Sequence, residues 1–152
     1  MPARSGNVST FYFYLVPSKT RSITVIHATF TDDHGIIVGH NIIGYDIPVL
    51  RKIYSWFKYS GTAIDTLVLS RSYHPNLMEI DKKRNVPRMP LQLYGRHSLE
   101  AYGYRLGEYK GEFGKTSDWK EWSQEMQDYC VQDVQVTTKL CEHFRPLMTR
   151  VD

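Results

Sequence analysis

Asp46, Tyr129 and Asp133 are of the residue types that hold hard cations and place water at a phosphodiester. Cutting such a bond in water calls for divalent cations on carboxylates and a water aligned with the leaving oxygen. Tyr129 and Asp133 are four residues apart in Asp128-Tyr129-Cys130-Val131-Gln132-Asp133, so on a helix phenol and carboxylate share one face. Asp46 closes the run Gly39-His40-Asn41-Ile42-Ile43-Gly44-Tyr45-Asp46 and brings a carboxylate from a distant segment. Each has a plainer reading: a carboxylate before a helix is most often an N-cap, and a Tyr/Asp pair is an ordinary polar edge. Together they suggest a metal-dependent nuclease site.

The elements that must position these residues can be read from periodicity. Thr10 to Val16 is aromatic and β-branched, Pro17 to Ser22 is a polar turn, and Ile23 to Phe30 is a second strand, which predicts a hairpin. After a turn at Asp32-Asp33-His34-Gly35, Ile36-Ile37-Val38 reads as a short strand buried on both faces of a mixed or parallel sheet. Asp46-Ile47-Pro48 opens a helix, with Ile47, Leu50, Ile53, Tyr54 and Phe57 at helical spacing. Ala63 to Leu69 begins as a strand and turns helical by Leu69-Ser70-Arg71. Pro75 to Pro90 is polar and proline-bounded, and reads as a long loop carrying Lys82, Lys83, Arg84 and Arg88. Such a loop is solvated by default; the alternative is contact with phosphates. His97 to Gly103 reads as a short helix closed by its glycine. Ser123 is the expected N-cap of a last helix with Met126, Val134, Thr137 and Cys141 along one stripe, ended by Pro146. Strands followed by strand–helix alternation predict an α/β layered fold. The expected organisation is one domain over 10–145, a flexible segment 1–9 and a tail 146–152.

Composition sets bounds. A chain of 152 residues can bury one sizeable core, and 41% hydrophobic with 23% charged residues is ordinary for a globular domain. A net charge of +3 permits a nucleic-acid partner without arguing for one. Its 11 tyrosines can stack on unpaired bases, or simply fill sheets and cores. Cys130 and Cys141 fall on the last helix about 16 Å apart, too far for a bridge. No cysteine or histidine spacing suggests zinc, so the chain reads as reduced, intracellular and cytoplasmic. Met1 to Ser9 lacks the apolar core of a signal peptide, and no segment approaches a membrane span.

Asn41-Ile42-Ile43-Gly44-Tyr45-Asp46 resembles the Asn-xxx-Tyr-Asp second motif of the DEDD 3′–5′ exonucleases. Tyr129-Cys130-Val131-Gln132-Asp133 resembles their Tyr-xxx-Asp third motif, in the tyrosine subtype. Ile64 to Arg71 and His97 to Gly107 extend the likeness to the proofreading domain of family A DNA polymerases from short-tailed phages, from about Ile36 to Cys141. The resemblance implies an RNase H-like (DnaQ-like) mixed sheet flanked by helices. It also implies removal of nucleotides from single-stranded DNA 3′ ends with two Mg²⁺ or Mn²⁺ ions, in an infected or bacterial cell. Carried over, Asp133 would ligate a metal, Tyr129 would orient the attacking water, and Asp46 would serve the second metal. Asn41 and Tyr45 would touch the 3′-terminal nucleotide or support the site. Asp65 matches a family position too, but its expected role is structural, holding the strand end.

The likeness has a departure. The family's first motif, Asp-x-Glu on the opening strand, does not occur upstream of Asn41, and no acidic residue precedes Asp32. Thr10 to Ile26 is similar instead to the family's second and third strands, as if the first strand were missing. Asp32 and Asp33 are no substitute, because Ile36 to Asn41 puts them roughly 17–20 Å from the site, at the far end of the strand. Three readings are open. The domain cuts DNA with its first strand supplied by another chain (a polymerase or a second copy of itself) or by an unexpected path of Met1 to Ser9; or it binds DNA ends or a polymerase partner without cutting; or it is a truncated product with no independent role. A missing central strand would leave open edges that favour a dimer.

Overall fold

The structure, a computed structural model, describes residues 9–14, 25–30, 36–55, 57–108 and 123–148. The aromatic, β-branched hairpin forms as expected: β1 (Ser9–Tyr14) pairs antiparallel with β2 (Val25–Phe30), Ser9 opposite Phe30 and Tyr14 opposite Val25. Next comes β3 (Ile36–Gly39), antiparallel to β2 with Ala28 opposite Ile37. It is parallel to β4 (Thr62–Asp65), with Gly39 opposite Asp65. The sheet order is β1-β2-β3-β4, so the described strands leave no gap; β2 lies directly beside β3, and the edges belong to β1 and β4. The expected turn at Asp32 to Gly35 lies outside the described residues.

Helices supply the rest of a mixed α/β architecture. A wide π-type turn (Ile42–Asp46) runs directly into α1 (Ile47–Ile53). Then come α2 (Thr66–Tyr73), α3 (Leu77–Arg84), a single 3₁₀ turn at Leu91–Leu93, α4 (Leu99–Arg105) and the long α5 (Gln124–Met148). Ile37, Ile42, Ile47 and Leu50 form one buried cluster, linking β3 to the turn and helix beyond it. Leu77, Tyr102, Val136, Leu140 and Phe144 form a second, where α3 and α4 meet α5. Burial of each such side chain contributes about 1.5–3 kcal/mol. Since α5 also touches β2, β3 and α2, it ties the helical half to the sheet.

Several boundaries depart from the periodicity. Helix α1 stops at Ile53, which is 57% exposed; Tyr54 is extended, and Tyr54 and Phe57 reach the first cluster from non-helical chain. Tyr59 fastens this return, its hydroxyl donating to the Thr62 carbonyl (2.6 Å) and accepting from the Ile37 amide (3.2 Å). The strand-to-helix switch comes at Thr66 rather than Leu69, because Asp65 caps α2 by accepting from the Leu67 amide (2.9 Å). The stretch Pro75 to Pro90 is not all loop: Leu77 and Asp81, one turn apart, bury one face of α3 and leave Lys82, Lys83 and Arg84 in its last turn. Cations there complement the helix dipole. Helix α4 runs past the buried Gly103 to Arg105, and the left-handed glycine is Gly107 (φ 72°). On α5, Ser123 caps the helix through the Met126 amide (3.2 Å), and Met126, Cys130, Val134 and Thr137 are buried. Leu140 rather than Cys141 continues that face, and both cysteines are free thiols. Pro146 does not end α5; it sits exposed in the last turn, where the hydrogen bond its ring forfeits can be replaced by water.

Candidate functional site

Asn41 to Asp46 lie where β3 leaves the sheet beside its parallel neighbour β4. Asn41 turns the chain with a left-handed backbone (φ 64°), a conformation that asparagine tolerates better than most residues. Two glycines make the tight path from Asn41 to Asp46 possible. A Cβ on Gly39 would stand 2.7 Å from the buried Ile42 side chain, and one on Gly44 would stand 2.6 Å from the Asn41 amide oxygen. The motif's spacing is therefore partly steric: Gly44 makes room for the Asn41 side chain folded over it. Single π turns inside helices recur at functional sites.

Asp65 holds this corner together. It is only 5% exposed, and its Oδ1 accepts from the amides of Asn41 (2.9 Å) and Leu67 (2.9 Å), while Oδ2 accepts from the Ile43 amide (3.1 Å). One carboxylate thus satisfies N–H groups at the start of both the π turn and α2, which anions at helix N-termini do well. The expected structural role of Asp65 at the strand end is what the hydrogen bonds describe. Thr66 adds a second tie: its hydroxyl donates to the Gly39 carbonyl (3.3 Å) and so accepts from His40 Nδ1 (2.9 Å).

Asp46 ends the π turn, but its side chain makes no cap hydrogen bond to α1, so the plain N-cap reading fails. Burial is the main cause that pushes its pKa up to about 7. A backbone hydrogen bond opposes the shift, and the neighbouring Asp65 carboxylate adds to it. Between Asn41 and Asp46 the turn presents Ile43 (52% exposed) and Tyr45 (46% exposed) to solvent. The site therefore pairs a half-buried acid with an adjacent apolar and aromatic surface. Ile43 was not singled out from the sequence, where it is indistinguishable from the buried Ile42.

Tyr129 and Asp133 stand one turn apart on α5, both half-buried, with one carboxylate oxygen of Asp133 shielded from solvent. The Asp133 carbonyl accepts from the Thr137 hydroxyl (2.8 Å). Helix α5 packs on β3, the strand that leads into Asn41. Lys82, Lys83 and Arg84 are all exposed at the end of α3. Among the described residues, no group of three or more His, Cys, Asp or Glu side chains comes together to hold a metal ion. Of the acids close to Asp46, Asp65 already spends both oxygens on backbone amides. The described donors do not by themselves fit a two-metal centre.

Comparison with known proteins gives the chain its lineage. No family model matches it. It is 38% identical to the DNA-directed DNA polymerase of Escherichia phage T7, and equally to that of Enterobacteria phage T3, over 130 aligned residues. Each alignment takes in 71% of this chain and 18% of the polymerase, so the chain spans less than a fifth of the length of these relatives. The chain is related to a region of phage DNA polymerases. No helix among the described residues is long and apolar enough to cross a membrane.

Proposed function

We propose that this chain is an RNase H-like, exonuclease-type domain of polymerase lineage whose described residues grip the 3′-terminal stretch of single-stranded DNA. The observation that carries this reading is the Asp65-locked turn at the exit of parallel strands β3 and β4, which turns Ile43 and Tyr45 outward beside Asn41. Crevices beyond the carboxyl ends of parallel strands are where α/β sheets bind ligands. An exposed aromatic on a rigid turn is a stacking platform for an unpaired base. Similarity to DNA polymerases favours DNA as the partner and a polymerase chain as a neighbour.

Hydrolysis is the second reading, favoured by Asp46, Tyr129 and Asp133 at the motif positions. Asp46 and Asp133 would be the ligands of Mg²⁺ or Mn²⁺, which would supply charge stabilisation for in-line attack. The donors still wanting would have to come from another segment or a second copy. The test is a 5′-labelled single strand incubated with the full chain, in EDTA and then with Mg²⁺ or Mn²⁺. Retention in EDTA is the expected result, and loss of all binding would contradict the proposal. A one-nucleotide ladder that vanishes in Asp133→Ala would add the hydrolytic reading to it.

A further inference from the structure

Away from the Asn41–Asp46 turn, α3, the loop after it and α4 enclose an open cleft of about 960 Å³. Among the described residues its lining includes Arg84, Arg88 and Arg105 and no acidic residue. The three arginines are held in different ways. Arg105 is 4% exposed and clamps the fully buried Asp81, Nε to Oδ1 at 2.8 Å and Nη2 to Oδ2 at 2.7 Å. Asp81 also accepts from the Gly95 amide (2.8 Å), and Arg105 lies over the Tyr102 ring at 4.8 Å. This fork uses two of the three guanidinium nitrogens. The third, Nη1, is buried with no acceptor among the described residues. An unmet buried donor on a charged group costs about 1–3 kcal/mol or more, so it marks a place for an acceptor.

Arg84 and Arg88 supply the charge. The Asp81–Arg105 pair cancels itself, whereas neither Arg84 nor Arg88 has an ion pair among the described residues. The backbone brings them to one cleft by an uncommon route, since Asn85 (φ 45°) and Arg88 (φ 60°) are both left-handed. For arginine that conformation costs about 1–2 kcal/mol, and such strain concentrates at binding sites. A cleft lined by two exposed arginines and by a third whose buried Nη1 has no acceptor among the described residues suits a tetrahedral oxyanion of the phosphate type.

The geometry points to a second site on this domain, an arginine cleft that binds a phosphate group, which we assign to the backbone of a single DNA strand several nucleotides from its 3′ end. This rests on the reading of the Asn41–Asp46 turn as the place that takes the terminal nucleotide. A smaller recess adjoins the cleft, shares Arg84 and Arg105 with it and reaches His143 on α5. Along α5, His143 is ten residues beyond Asp133, or about 15 Å. On the hydrolytic reading, which sets Asp133 beside the terminal nucleotide, that separation corresponds to roughly four nucleotides at about 3.4 Å per phosphate along a stacked strand. A strand held at its end would reach the cleft only when it is longer than that.

The experiment is fluorescence anisotropy of the full chain in EDTA, with labelled trithymidylate and dodecathymidylate, over a salt series. Wild type is compared with Arg84→Gln/Arg88→Gln, Lys82→Gln/Lys83→Gln and Tyr45→Ala. Loss of two phosphate contacts should flatten the log–log salt slope for the dodecamer by about 1.4 in the arginine variant, with no change for the trimer. The lysine pair lies outside the cleft lining and should leave the slope within half of that change. Equal slopes for wild type and the arginine variant, with Tyr45→Ala still weakening binding, would overturn the cleft and spare the terminal site. If no variant alters binding, the terminal-site reading falls as well. Inorganic phosphate and thymidine monophosphate serve as competitors. If either displaces the dodecamer from wild type at concentrations where it leaves the arginine variant unaffected, the cleft takes phosphate; if they bind while the dodecamer slope is unchanged, the cleft takes free phosphate and its assignment to a DNA strand is overturned.

Discussion

Asp46 carries the clearest electrostatic signature at the residue scale. Its folded pKa, raised to about 7 chiefly by burial, lies above the 3.8 of an unhindered aspartate. Between those values the unfolded chain has released a proton that the folded chain keeps, so stability falls as pH rises through this window. The stabilisation is whole below about pH 4 and gone above about pH 7. Asp46→Asn should therefore unfold at the same temperature as wild type near pH 4. At pH 8 it should be more stable by about 1–2 kcal/mol, allowing for solvent screening of a half-buried group. Thermal unfolding of both proteins across this range checks it, and parallel curves would mean that Asp46 titrates normally. Asp46 was visible in the sequence as a chemistry-bearing residue, but its burial was not, because nothing in a linear motif says which side of a π turn faces the protein. Asp65 was legible as a structural anchor, and its three amide partners fit that role.

At the scale of elements, α3 is the instructive failure. Leu77-Met78-Glu79-Ile80-Asp81-Lys82-Lys83-Arg84 has too little apolar periodicity to read as a core helix, since its buried face is one leucine and one aspartate. The partner that makes Asp81 buriable is Arg105, on α4 and 24 residues away, and no local pattern announces it. Burial works to raise the pKa of Asp81, but the Arg105 hydrogen bonds, the Gly95 amide and nearby positive charge outweigh it and hold it low. Asp81→Ala should cost about 3–5 kcal/mol by stranding a buried guanidinium, and Asp81→Ala/Arg105→Met should recover most of that loss. Denaturant unfolding of the two variants tests this coupling; additive losses would show that the pair does not hold α3 to α4. Where one face was apolar the sequence came close, as in the capped α5, where Met126, Val134 and Thr137 of the expected stripe are buried and Cys141 is not. Pro146 misled because an exposed last turn tolerates a proline that an interior turn would not.

Over the whole molecule, the mixed α/β fold was legible as a hairpin and then strand–helix alternation. The order in which strands meet was not, because pairing of β2 with β3 depends on long-range choices that periodicity does not encode. The two candidate sites belong to different halves: the Asn41–Asp46 turn to the sheet and its cluster, the arginine cleft to α3 and α4. On the proposed function, the sheet-side turn grips the end of a single strand. The most direct test of this grip is the affinity of the full chain in EDTA for a 5′-labelled single strand, wild type against Tyr45→Ala. Removing one base-stacking ring should weaken binding about tenfold, with the fold unchanged by circular dichroism. An affinity unchanged by Tyr45→Ala would contradict the account and remove the turn from the DNA interface.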